Sequence, residues 1–100
     1  MNATELDDEI RVILASHGRL FVDLGSLRDD QDLFRSGMTS YANVNVMLAI
    51  EERFDVEFPD HMLRKSTFQS VSSIRGAISE LLAEQGAEAV PGARGAGLPG

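Results

Sequence analysis

Ser40-Tyr41-Ala42-Asn43-Val44-Asn45-Val46-Met47-Leu48-Ala49-Ile50-Glu51-Glu52-Arg53-Phe54 is the stretch on which the fold turns. It contains neither glycine nor proline, and Thr39 or Ser40 can cap its start. Its apolar residues fall on two helical stripes. Val46, Met47, Ile50 and Phe54 form one, which should face a core. Tyr41, Val44 and Leu48 form another at i, i+3, i+7 spacing, with Glu51 between the two. One helix in a small bundle needs only one buried stripe, so the second is a candidate binding face rooted beside Ser40. The alternative is that it packs under the loop that precedes the helix.

Outward from this helix the chain stays helical. Leu6, Ile10, Ile13 and Leu14 share one side of a helix predicted from about Thr4 to His17. Thr4 can cap it, Glu5, Asp7 and Asp8 suit its positive end, and Gly18 is placed to take the left-handed stop. From Gly18 to Thr39 the periodicity fades. A connection this long is expected to carry structure of its own, and Phe21, Leu24, Leu27, Leu33 and Phe34 are its apolar anchors. Beyond Phe54, Pro59 announces a short helix around Asp60 to Leu63. A last helix starts near Ser70 or Ser72, carries Val71, Ile74, Ile78, Leu81 and Leu82 on one side, and is expected to end at Gly86. Strict two-residue alternation is absent throughout. The prediction is an all-α bundle of three main helices plus one short helix, with a long first loop: a domain over residues 1–85 and a disordered tail over 86–100.

The 100 residues fit one domain with one core, and 43% hydrophobic content suits a globular chain. The net charge of −7 argues against nucleic acid, whose phosphates call for clustered Lys and Arg, and suits partners with basic surfaces. There is no cysteine, hence no disulfide, thiolate metal site or cysteine nucleophile. No apolar run reaches membrane-spanning length and the N-terminus lacks a signal-peptide pattern, so the expectation is a cytoplasmic monomer without membrane contact.

One segment narrows the function: Asp32-Leu33-Phe34-Arg35-Ser36-Gly37-Met38-Thr39-Ser40-Tyr41. It resembles the modification site of acyl carrier proteins, in which a D-L-x-x-x-G-x-x-S stretch leads into the second helix. Ile50-Glu51-Glu52-Arg53-Phe54 through Phe58-Pro59-Asp60 is similar to the L-E-E-x-F-x-x-x-I-P-D ending of that helix. The resemblance implies that Ser40 carries 4′-phosphopantetheine, attached from coenzyme A by a phosphopantetheinyl transferase. A serine at a helix N-terminus suits this, since unpaired N–H groups and the dipole favour the phosphodiester. Gly37 permits a tight turn or a close backbone approach, giving a modifying enzyme access. Thr39, Tyr41, Asn43 and Asn45 depart from the acidic pattern of fatty-acid carriers. Gly37 to Tyr41, Met47 to Glu52 and Phe58 to Ser66 are most similar to the stand-alone aminoacyl carrier proteins of rhizobial bacteria. That likeness implies an amino acid, glycine or alanine, held as a thioester and loaded by a ligase resembling a class II seryl-tRNA synthetase.

Tyr41, Val44 and Leu48, with His61, Met62 and Arg64 from the short helix, form the expected partner surface. His61 has no carboxylate or cysteine at ligand spacing, so no metal site is expected. His17 reads as a helix-terminal residue, and Glu51-Glu52 as a helix surface. With no nucleophile–base pair, the chain is expected to be a carrier acted on by other enzymes, not an enzyme. A fatty-acyl or polyketide carrier is the first alternative. An unmodified helical adaptor, with Ser40 only a cap, is the second.

Overall fold

Asn2 opens the first helix. Its side chain accepts the Glu5 N–H at 2.9 Å while the Glu5 carboxylate accepts the Asn2 N–H at 2.9 Å. This reciprocal pair starts α1 (Ala3–Ile13) ahead of the expected cap at Thr4. A π-helical turn, Leu14–Gly18, extends it. The wider turn shifts the left-handed residue from Gly18 to Arg19, at φ 55°. Gly18 is buried, with the place of an absent Cβ 3.4 Å from the Leu14 side chain. His17 is exposed at this terminus. α2 (Ser40–Phe54) and α3 (Val71–Ala89) complete the bundle. The computed structural model describes residues 2–89, and no strand occurs among them.

Leu6, Ile10, Ile13 and Leu14 meet Ala42, Val46, Ile50 and Phe54 from α2, and Val71, Ile74, Ile78 and Leu81 from α3, in one core. α1 packs on both other helices, and its π-turn packs on α2. Short 3-10 turns at Asp60–Met62 and Lys65–Phe68 replace the single short helix. Phe58 and Phe68 meet edge-on between them, ring centres 5.1 Å apart. Ser70 accepts the Ser73 N–H at 3.1 Å and so starts α3.

α3 runs through Gly86 to Ala89, so the expected end at Gly86 and the boundary after residue 85 both fall inside a helix. A helical glycine costs only about 1 kcal/mol relative to alanine, and Ala87, Glu88 and Ala89 beyond it are helix formers. The remainder of the expected tail, residues 90–100, lies outside the described residues, as does the Leu24 side chain.

The long connection is ordered by polar ties to α1 and α3. Arg11 bonds Asp7 at 2.9 Å, Asp29 at 2.7 Å and the Leu27 carbonyl at 2.8 Å. Arg75 bonds the same two aspartates at 2.8 and 3.1 Å, and the Ser72 N–H donates to the Asp29 carbonyl at 3.0 Å. The Asp7 hydrogen bond is the main cause raising the Arg11 pKa, and that of Arg75, then Arg11, holds the Asp29 carboxyl below its ordinary value. Of the apolar anchors, Leu27 and Leu33 are buried and Phe34 is half-buried. Phe21 is not a buried anchor: it is 77% exposed, because its ring lies over Gly37 at the surface.

Candidate functional site

The segment before α2 is a turn built by Asp32. Its Oδ1 accepts the N–H groups of Phe34 at 2.9 Å and Arg35 at 3.2 Å. Its Oδ2 accepts the Gln69 side-chain amide at 3.1 Å, and the Leu33 N–H donates to the Gln69 carbonyl at 2.7 Å. The Arg35 N–H foremost, then Gln69 and Phe34 against the opposing effect of burial, keeps the Asp32 carboxyl below its ordinary value. Leu33 sinks into the core, and its carbonyl accepts the N–H groups of Ser36 at 3.1 Å and Met38 at 3.0 Å. The turn closes at Gly37, with φ at 116°, a conformation that side chains other than glycine's rarely adopt. A Cβ there would stand 2.5 Å from the Phe21 ring, so the close approach at Gly37 is made by Phe21 and not left open to an enzyme.

Thr39 is the N-cap of α2: its Oγ1 accepts the Ala42 N–H at 3.0 Å. Ser40 is therefore the first helical residue. It is exposed, its hydroxyl takes no part in the cap, and its N–H and that of Tyr41 have no acceptor within the helix. No acidic residue occupies the first turn to oppose an arriving anion.

Ser40 lies on the wall of a cleft of about 540 Å³. Ser40, Asn43 and Met47, at i, i+3, i+7 spacing, supply the α2 wall. Met38 and Phe34 come from the turn, and Leu63, Arg64, Lys65 and Phe68 from the segment after α2. The Lys65 ammonium stands 4.9 Å from the centre of the Phe34 ring. Asn43 Oδ1 is buried without a hydrogen-bond partner. Such an acceptor costs about 1–3 kcal/mol unless something donates to it.

The expected partner residues divide. Tyr41, Val44 and Leu48 are 73%, 47% and 51% exposed, so the second stripe of α2 is open to solvent. His61 and Arg64 are exposed too. Met62 is not part of this surface: it is 6% exposed, because the 3-10 turn directs it into the core. Its neighbour Leu63, 48% exposed, takes that place. Sequence reading missed the cleft. The Ser40, Asn43, Met47 spacing was the signal available for it; Met47, half-buried, packs against the core as its stripe requires and also lines the cleft.

Three comparisons bear on this geometry. The family described as "Phosphopantetheine attachment site" matches residues 18–78. The aminoacyl carrier protein of Agrobacterium fabrum is 42% identical over 82 residues, covering 82% of this chain and 93% of that one. Among solved structures, a chain in the complex of engineered Bradyrhizobium japonicum glycine:[carrier protein] ligase with an Agrobacterium tumefaciens carrier protein and ATP is 39% identical. It superimposes with a TM-score of 0.72, covering 75% of this chain and 97% of that one. A solution structure of an A. tumefaciens protein is 38% identical with a TM-score of 0.64, covering 81% and 98%.

Proposed function

Because the chain belongs to the phosphopantetheine attachment family, and within it to the aminoacyl carrier proteins, we propose that Ser40 bears the arm and that its cargo is glycine or alanine. The observation that carries this reading is the cap: Thr39 satisfies the helix, leaving the Ser40 hydroxyl exposed and unengaged at the first helical position. Ser40 Oγ attacks the phosphorus of coenzyme A that bears the pantetheine. The new O–P bond forms as the pyrophosphate P–O bond breaks, adenosine 3′,5′-bisphosphate leaves, and the serine proton passes to a base of the transferase. Once attached, the arm supplies the thiol that this cysteine-free chain lacks and holds the amino acid as a thioester.

The residues present fit the group. The free N–H groups at the start of α2 favour its phosphodiester, with Arg64 and Lys65 adding positive charge on the same cleft. The chain itself positions and displays. Bond-making belongs to the transferase and to an amino acid ligase of the kind seen with the related carrier proteins. Tyr41, Val44 and Leu48, flanked by His61, Leu63 and Arg64, form the surface we assign to that ligase, and the carrier acts as a cytoplasmic monomer. Intact mass after incubation with coenzyme A and a broad-specificity transferase tests the site. A gain is expected on the wild type and not on Ser40→Ala; no gain, or one that persists in Ser40→Ala, overturns it. Charging with glycine and alanine by the ligase then tests the cargo.

A further inference from the structure

Most cations of this acidic chain are already paired. Arg11 and Arg75 both bond Asp7 and Asp29, Arg53 bonds Glu9, and Arg28 and Arg35 lie 3.3 and 3.8 Å from Asp30 and Asp32. Arg64 and Lys65 differ. Both are exposed, both line the cleft that Ser40 lines, and neither has a carboxylate partner among the described residues. Lys65 is the one lysine of the sequence, and its ammonium is held by the Phe34 ring, which fixes a cation without neutralising it. A phosphodiester on Ser40 brings one negative charge against these two positive ones, and the first turn of α2 adds no acidic residue. The Ser40 end of the surface therefore stays cationic. The far end is the reverse. One helical turn beyond Leu48 the open stripe of Tyr41, Val44 and Leu48 reaches Glu52, exposed and without an ion pair among the described residues.

Resting on the assignment of Tyr41, Val44 and Leu48 to the ligase, we propose that the ligase surface is polarised to match: carboxylates opposite Arg64 and Lys65, and a cation opposite Glu52. The net charge of −7 suits basic partners, but the surface beside Ser40 calls for an acidic one. Apolar contact is non-directional, so the stripe alone lets a partner lie on it either way round. Opposite charges at its two ends select one orientation and penalise the other. Arg64 and Lys65 thereby fix the register in which Ser40, and the arm it bears, faces the ligase.

The test uses the full chain with its arm attached, verified by intact mass, and a glycine:[carrier protein] ligase. The double variant Arg64→Glu, Lys65→Glu should raise the ligase KM for the carrier about tenfold at low salt, as two attractions become two repulsions. Added salt should raise the wild-type KM and lower that of the double variant. Glu52→Lys should raise KM about threefold. Urea midpoints check that each variant is folded. Because Lys65 is the one lysine, a zero-length carbodiimide should join it to a ligase carboxylate, in a cross-link that peptide mass mapping places at Lys65 and that Lys65→Arg lacks. An unchanged or lowered KM in the double variant, while Tyr41→Ala raises it, overturns the polarity and leaves the stripe assigned. An unchanged KM in both overturns the stripe as the ligase surface, and the proposal with it. Absence of the cross-link removes Lys65 from the pairing, and an unchanged KM in Glu52→Lys removes the far end. Absence of any mass gain on loading is a separate result, which removes the assignment of Ser40 itself.

Discussion

The two stripes of α2 use similar side chains over the same fifteen residues and meet opposite fates. Ala42, Val46 and Ile50 are fully buried and Phe54 nearly so, covered by α1 and its π-turn. Tyr41, Val44 and Leu48 are half-exposed or more. The long connection could have covered this second stripe, but its polar ties run the other way: Asp29 to Arg75 and Ser72 of α3, Leu33 and Asp32 to Gln69 just before it, and Asp29 and the Leu27 carbonyl to Arg11 of α1. The difference teaches that burial along a helix is decided by where the neighbouring segments are pinned, as well as by the helix's own pattern. An apolar stripe left open beside an exposed Ser40 is available to a partner.

The comparison breaks most sharply at Ile50. Ile50→Ala should cost about 2–5 kcal/mol, since it leaves a cavity in a closed core. Leu48→Ala, two residues away, should stay within about 0.5 kcal/mol. Urea unfolding of both reads the contrast, and equal losses would show that the second stripe is also covered in solution. Gly37→Ala comes next. It should cost about 1–3 kcal/mol, because alanine is strained at φ 116° and its Cβ meets the Phe21 ring. Adding Phe21→Ala should recover the part due to crowding and leave the backbone strain.

The α2 boundaries were legible because every local signal agreed: a cap at Thr39, no breaker before Asp55, and a clear stripe. The same holds for Leu6, Ile10, Ile13 and Leu14, and for Val71, Ile74, Ile78 and Leu81, all buried as the spacing required, while Leu82 on the same side is only half-buried. Irregular segments carry no period, so Phe21 and Met62 were assigned to the wrong sides. A π-turn differs from an α-turn by one residue and leaves no compositional mark, which is why the left-handed stop moved from Gly18 to Arg19. At the candidate site, Ser40 and the glycine turn could be read from the segment itself. The cleft could not, because Leu63, Lys65 and Phe68 reach it only through the tertiary path of the chain. Nor could the ring of Asp7, Arg11, Asp29 and Arg75, whose members lie up to 68 residues apart.

The open stripe makes its own prediction. Tyr41→Ala should leave the urea midpoint nearly unchanged while raising the ligase KM for the carrier about tenfold, as loss of a central aromatic contact does. An unchanged KM would remove Tyr41 from the assigned surface.

The smallest effect tests the pin itself. Arg75 and Arg11 hold the Asp29 carboxyl below its ordinary value of 3.8, so in acid the unfolded chain binds the Asp29 proton first. The stabilisation from Asp29 is therefore complete above about pH 3.8 and is lost as pH falls through the lower folded value. Because the Asp29 side chain is 50% exposed, its replacement in Asp29→Asn should cost no more than about 1 kcal/mol at pH 7. Measured by urea midpoints, the gap between the wild type and the Asp29→Asn variant should close as the pH falls below the ordinary Asp value of 3.8 and through the lower folded one. At pH 7 the same gap should narrow with added salt. A gap that stayed constant in acid would mean that the Asp29 side chain holds the connection through its shape, and that the ionic ring is not what keeps the second stripe of α2 uncovered.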